Sequence, residues 1–169
     1  MDRVTTAAGR ISRPNLPLLL LKTRESVIQP FRPIFHRFGL TEQQWRVLRL
    51  LADEAEMEQR EVAQACRILG PSLAGILARL EEAGLVRRER ASADQRRVFV
   101  TLSGKGKRLI AEMAPLVDAQ YEKLEAALGR ELMASLIAVL DRLLQLPAES
   151  SNGEVAHAHT ATQIDSVFK

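Results

Sequence analysis

Residues 80–106 read LEEAGLVRRERASADQRRVFVTLSGKG. Two short runs suit strands, Leu85 to Arg90 and Arg97 to Leu102, and the second carries the β-formers VFVTL. Between them lies a turn of small polar residues, which makes the pair a hairpin. Arg87, Arg88, Arg90, Arg96 and Arg97 crowd this hairpin, with only Glu89 and Asp94 to offset them. Like charges so close together repel, and nothing inside an isolated fold rewards the arrangement. A polyanion outside the chain would.

Immediately upstream, PSLAGILARLEEAGLV has Pro71 at a helix start and Gly84 at its end. Leu73, Ile76, Leu77 and Leu80 would face inward. Before it, Gln59 to Cys66 is a shorter helical pattern (Val62, Ala63, Cys66), connected through RILG. Two short helices on a tight turn, followed directly by a basic hairpin, have the layout of a winged helix-turn-helix. The hairpin is its wing.

Further out, Thr41 opens T-E-Q-Q, a capping box with Gln44 at the third helical position, followed by Trp45, Leu48, Leu51 and Ala52 on one face. From Leu16 to Phe38, apolar residues recur at helical spacing, and Pro30 and Pro33 should kink or divide that helix. Ser103 looks like the cap of a long helix bearing Leu109, Met113, Leu116, Val117, Tyr121, Leu124 and Leu128. Gly129 breaks it, and Glu131 to Leu146 forms a last helix with a wide apolar face. These terminal helices have more apolar surface than a small winged domain can cover, so a second copy of the chain should cover it.

The expected architecture is mostly α with a small β-hairpin wing. It comprises a flexible N-terminal arm (1–15), a helical dimerisation region in two pieces (16–40 and 103–146), a winged helix-turn-helix DNA-binding domain (41–102) and a disordered tail (147–169).

Composition bounds the function. Of 169 residues 46% are apolar but only 4% aromatic, so the core is built from Leu, Ala, Val and Ile, which favours helices. The longest apolar run, Leu16 to Leu21, is interrupted by Pro17 and is far short of the roughly 20 residues that cross a bilayer. No cleavage signal follows it, and a cytoplasmic protein without a membrane span is expected. The lone Cys66 excludes an internal disulfide and any cysteine-cluster metal site. Residues 59–108 hold 11 Lys or Arg against 5 Asp or Glu, although the whole chain is only +3. Double-stranded DNA is the expected partner, and no cofactor is implied.

The combination of LEEAGLV, DQRR and LSGKG at these separations, within this order of helices, resembles the MarR family of bacterial transcription regulators from Leu16 to about Leu146. TEQQWRVLRLL and ACRILGPSLAGILARLEEAGLV are most similar to its HpaR-like subgroup, which represses operons for aromatic-acid breakdown of the homoprotocatechuate and hydroxynicotinate kind. The resemblance implies a symmetric homodimer joined by the first, fifth and sixth helices, each winged domain reading half of a pseudo-palindromic operator. It places Pro71 to Ala83 in the major groove with Ser72, Gly75, Ala78 and Arg79 outward. The family's D-x-R wing motif falls on Asp94 and Arg96, with Arg96 reaching for the minor groove and Asp94 holding it.

Physics supports these roles. A guanidinium suits the narrow, electronegative minor groove of A·T-rich DNA, and a nearby carboxylate limits the rotamer freedom lost on binding. Arg87, Arg88, Arg90 and Arg97 alternate along their strands, so only some can face DNA, mainly its phosphates. Ala74, Gly75 and Ala78 offer base edges almost no hydrogen-bonding groups. Readout then falls to Ser72, Arg79, thymine methyls and DNA shape.

Arg24 lies in the middle of the apolar face of the first helix, a costly place for an unpaired cation. It meets either a protein carboxylate, such as Asp118 or Glu112 across the dimer, or the carboxylate of a bound acid. The resemblance implies the second: a small aromatic carboxylic acid held between the dimerisation helices and the winged domain, with Trp45 as a stacking wall. Trp45 equally suits the core, and His36 falls on the solvated side. The ligand would favour a conformation whose recognition helices no longer match major grooves about 34 Å apart. Cys66 reads as a small buried hydrophobe, not a redox sensor.

An enzyme is disfavoured. His36 is the one histidine outside the tail, and HExxH, GxSxG and GxxxxGK[ST] are all missing. The remaining alternative is a ligand-independent DNA-binding regulator or architectural protein.

Overall fold

A computed structural model describes residues 13–92 and 94–146. The expected arm and tail fall outside these residues, apart from 13–15. The chain divides into two units, with the boundary between Ala127 and Leu128.

In the first unit, α1 (Leu16–Ile28) starts at Asn15, whose side chain accepts from the Leu18 N–H at 3.0 Å. Pro30 and Pro33 act as expected: a 3-10 turn (Gln29–Phe31) separates α1 from α2 (Arg32–Arg37), because each proline removes a helix donor and its ring crowds the preceding turn. Helix α3 (Glu42–Asp53) carries the capping box, with the Gln44 N–H on Thr41 Oγ1 at 3.2 Å and the Thr41 N–H on Gln44 Oε1 at 2.8 Å. Its buried positions are Val47, Leu48 and Leu51, while Ala52, expected inward, is exposed.

Next come β1 (Met57–Glu58), α4 (Gln59–Ala65) and α5 (Gly70–Glu82). All four expected inward residues of α5 are buried. Helix α5 stops where Gly84 takes φ +71° and the Leu85 N–H reaches back to Leu80 O at 2.8 Å, a left-handed ending that any side chain would strain. The wing follows as β2 (Val86–Arg90) and β3 (Val98–Leu102), antiparallel, with Arg88 opposite Val100. The sheet has a third strand: β1 pairs with the other edge of β3, Met57 opposite Val100.

Ser103 caps α6 (Gly104–Leu128), its Oγ accepting from the Gly106 N–H at 2.9 Å and donating to Gly84 O at 2.6 Å. The helix continues through Pro115, with Met113 and Val117 buried on either side of it. One apolar cluster joins α2 (Phe35), α3, α4, α5, the sheet (Val86, Val100) and α6. Cys66 belongs to it, and burial pushes its thiol pKa up, which makes it a poor nucleophile.

Leu16, Leu18, Leu19, Leu20 and Leu21 of α1 are all exposed, and α1 buries no residue. In the second unit, α7 (Arg130–Leu144) likewise has no buried residue, and Leu132, Ile137, Val139 and Leu144 are each more than half exposed. Among the described residues no helix is long and apolar enough to cross a membrane.

Candidate nucleic-acid interface

Helix α5 enters from a held turn. Cys66 ends α4, the Ile68 N–H bonds Ala63 O at 3.0 Å, and Arg67 takes φ +51°, a left-handed conformation that costs a non-glycine residue about 1 kcal/mol. From α3, Arg46 reaches across and donates to Cys66 O at 2.9 Å. On α5 itself, Ser72, Ala78 and Arg79 are exposed and Gly75 is half-buried. A Cβ at Gly75 would meet nothing within 4 Å, so the fold does not require this glycine. Glycine inside a helix costs about 0.5–1 kcal/mol relative to alanine, and close approach to DNA would account for it. Gly75→Ala is expected to raise the melting temperature by roughly 1–4 °C and to weaken DNA binding. Thermal melts and fluorescence anisotropy check both halves.

The wing sorts its five arginines. Arg88 donates from Nε to Glu81 Oε2 at 2.8 Å, with a second bond from Nη2, and this holds the Glu81 carboxyl below its ordinary pKa. Arg97 donates to Glu58 Oε2 at 3.0 Å and lies 5.1 Å from the centre of the Phe99 ring. Both are thus occupied inside the chain. Arg87, Arg90 and Arg96 are exposed, and none forms an ion pair among the described residues. Asp94 Oδ1 accepts from the backbone N–H of Arg96 at 3.0 Å, and Asp94 O accepts from the Arg97 N–H at 3.0 Å. The carboxylate therefore shapes the backbone of the wing tip and leaves the Arg96 guanidinium unpaired.

A second cluster gathers where α1, α2 and α3 meet. Within the chain, the carboxylate that meets Arg24 is Glu42, in the first turn of α3. Arg24 stays 48% exposed and Glu42 20%. Glu42 also accepts from Arg46 at 3.1 Å and Arg32 at 3.4 Å, and Arg32 donates to Glu25 at 2.8 Å. The Arg32 hydrogen bond lowers the Glu25 pKa, so this pair supports the fold near neutral pH and stops doing so as acid protonates Glu25. Arg24, Arg32 and Arg46 against Glu25 and Glu42 leave one positive charge in excess.

Aromatic rings share its helices, Phe35 on α2 and Trp45 on α3. Trp45, one turn along from Glu42, is half-buried and stacks on Phe35 at 5.3 Å and 23°. Phe31 meets the exposed ring of Tyr121 at 5.0 Å and 57°. Excess guanidinium charge and flat rings carried on the same helices suit an aromatic carboxylate. A cleft of about 210 Å³, lined by Phe38, Leu40, Leu80, Leu85 and Leu109, lies elsewhere and has Lys105 as its cation, whose ammonium already donates to Ala83 O at 2.8 Å.

Glu42, Arg32 and Arg46 escape a reading of the sequence. Glu42 looks like an ordinary acid at a helix start, and its partners lie 18, 10 and 4 positions away. His36 is exposed, as expected.

A family model for the MarR family matches residues 38–97. The HTH-type transcriptional regulator FarR of Neisseria gonorrhoeae is 43% identical over 75% of this chain and 87% of its own length. The homoprotocatechuate degradative operon repressor of Escherichia coli is 38% identical over 78% of this chain and 89% of its own. Among solved structures, NadR in complex with 4-hydroxyphenylacetate superposes with a TM-score of 0.75 at 40% identity, covering 83% of this chain and 99% of NadR.

Proposed function

The chain belongs to the MarR family, and from that premise we propose that it is a dimeric transcriptional repressor released from its pseudo-palindromic operator by a small aromatic carboxylic acid. The observation that carries DNA binding is the wing, which pairs Arg88 and Arg97 internally yet leaves Arg87, Arg90 and Arg96 exposed beside α5. The exposed leucines of α1 and the apolar residues of α7 support a dimer, since a second copy would take them out of water. A reader of operators works in the cytoplasm, and its action is occupancy of DNA, not catalysis.

For the effector, two relatives carry an aromatic acid in their names: one represses homoprotocatechuate degradation and the other is solved with 4-hydroxyphenylacetate. The Glu42 cluster is where such an acid would act on this chain. Its carboxylate would compete with Glu42 for Arg24 and Arg32, while its ring lay against Trp45. Glu42 is also tied to Arg46, which holds Cys66 O at the turn into α5. A carboxylate that loosens Glu42 therefore alters a tether of the recognition helix. Release is a population shift, limited to the acid's preference for the released form.

The test begins by selecting a duplex from a random library with the full-length chain. Binding to that duplex is then read by anisotropy with and without 4-hydroxyphenylacetate. Release of the wild type by millimolar acid or less is expected. Arg24→Ala should bind the duplex normally and require at least about tenfold more acid, the loss of a charge-assisted hydrogen bond. An unchanged acid response in Arg24→Ala would remove that residue from the site. Sequence-specific binding that no aromatic acid relieves would favour a ligand-independent regulator.

A further inference from the structure

Leu69, at 80% exposure, is the most exposed large apolar side chain among the described residues. It occupies the N-cap of α5, with φ −63° and ψ 140°, and makes no side-chain cap hydrogen bond. Ser, Thr, Asn or Asp there would accept a free N–H of the first turn and stabilise the helix. The sequence forgoes that cap and puts an isobutyl group in water. Neither disadvantage is offset among the described residues.

The backbone at Leu69 is nonetheless firmly held. Ile68, its neighbour, is buried in the core, and Leu69 O accepts from the Leu73 N–H at 2.9 Å. Arg46 anchors Cys66 O just upstream. A side chain that is exposed on a fixed backbone is presented to something. It stands at the leading end of α5, three positions before Ser72, on a surface whose Gly75 and Ala78 carry no polar side-chain atom. In the major groove, the apolar feature of the base edges is the C5-methyl group of thymine.

We propose that Leu69 is a specificity-determining residue that reads a thymine by packing on its methyl group. The inference rests on the reading of α5 as the recognition helix. A protein partner fits this surface less well, because the exposed Arg67 sits in the same turn and would meet phosphate when Leu69 meets a base.

The experiment uses the full-length chain and the duplex it selects, with each thymine replaced in turn by deoxyuridine, which lacks only the methyl group. At one thymine per half-site, the wild type should lose affinity roughly five- to tenfold. Leu69→Ala should lose the same on the thymine duplex and nothing further on the deoxyuridine duplex. Leu69→Ser, which restores a cap, should behave like Leu69→Ala while melting no lower than the wild type, which excludes a folding defect.

Three outcomes overturn the proposal. Leu69→Ala could bind every duplex as tightly as the wild type, or its loss could add to the deoxyuridine loss at every thymine. A Leu69→Ala chain that dissociates to monomers more readily without DNA would assign the side chain to a protein contact. Selection of no sequence by the wild type would refute the underlying reading of α5 as well, and so differs from failure at Leu69 alone.

Discussion

Arg96→Ala is expected to weaken binding to the selected duplex by roughly 10- to 100-fold, with the melting temperature moved by less than about 2 °C. The two halves follow from one geometry. The Arg96 guanidinium has no ion-pair partner among the described residues, so its removal deprives the fold of little. Its backbone N–H, which Asp94 holds at 3.0 Å, survives the substitution and keeps the wing tip in shape. The whole loss should therefore be an interaction with DNA, and the slope of log affinity against log salt should fall by about one. Arg96→Lys should recover only part of the loss, because an ammonium does not fill a narrow groove as a planar guanidinium does. Arg97 gives the contrast. Glu58 is buried, and Arg97→Ala would leave its carboxylate without its 3.0 Å partner, so that variant should melt lower as well. If Arg96→Ala bound the duplex as the wild type does, the wing would not reach DNA through this residue.

How much of this could be read in advance depends on whether a feature is local. The hairpin, the capping box of Thr41 and Gln44, and the buried face of α5 each rest on residues within a few positions of one another, and periodicity or turn chemistry exposes them. Strand β1 has two residues and no period, and it exists because β3 offers an unpaired edge. The sorting of the wing arginines is equally invisible. Strand alternation separates Arg87 from Arg88, but not the fact that Glu81, seven positions back on α5, waits for one of them, or that Glu58, 39 positions back, waits for Arg97. Arg24 shows the same limit. A helical wheel put it among apolar residues, but its side chain is 48% exposed and its carboxylate comes from α3. Leu69 and Ile68 are alike on paper, and only the turn decides that one is buried and the other exposed.

Gly106→Ala is expected to destabilise the chain by about 3 kcal/mol or more, lowering the melting temperature by roughly 6–12 °C. LSGKG contains Gly104 and Gly106, and only the second is confined. A Cβ on Gly106 would stand 2.2 Å from Leu85 O and 3.2 Å from both Leu85 C and Leu102 Cδ2, whereas one on Gly104 would meet nothing nearer than 3.7 Å, the tip of the Arg108 side chain. Leu85 O cannot simply turn away, since it accepts from the Ser103 N–H at 3.0 Å in the corner that joins β2 to the start of α6. Room for a methyl group must come from moving a backbone segment, and that segment is the root of the wing. The loss should thus extend to function: even at temperatures where Gly106→Ala stays folded, Arg96 would be displaced and binding to the selected duplex reduced. Gly104→Ala, by contrast, should melt near the wild type and bind normally. Calorimetry of the two variants beside anisotropy separates the effects, and equal melting temperatures would refute the close packing of Gly106 on the wing.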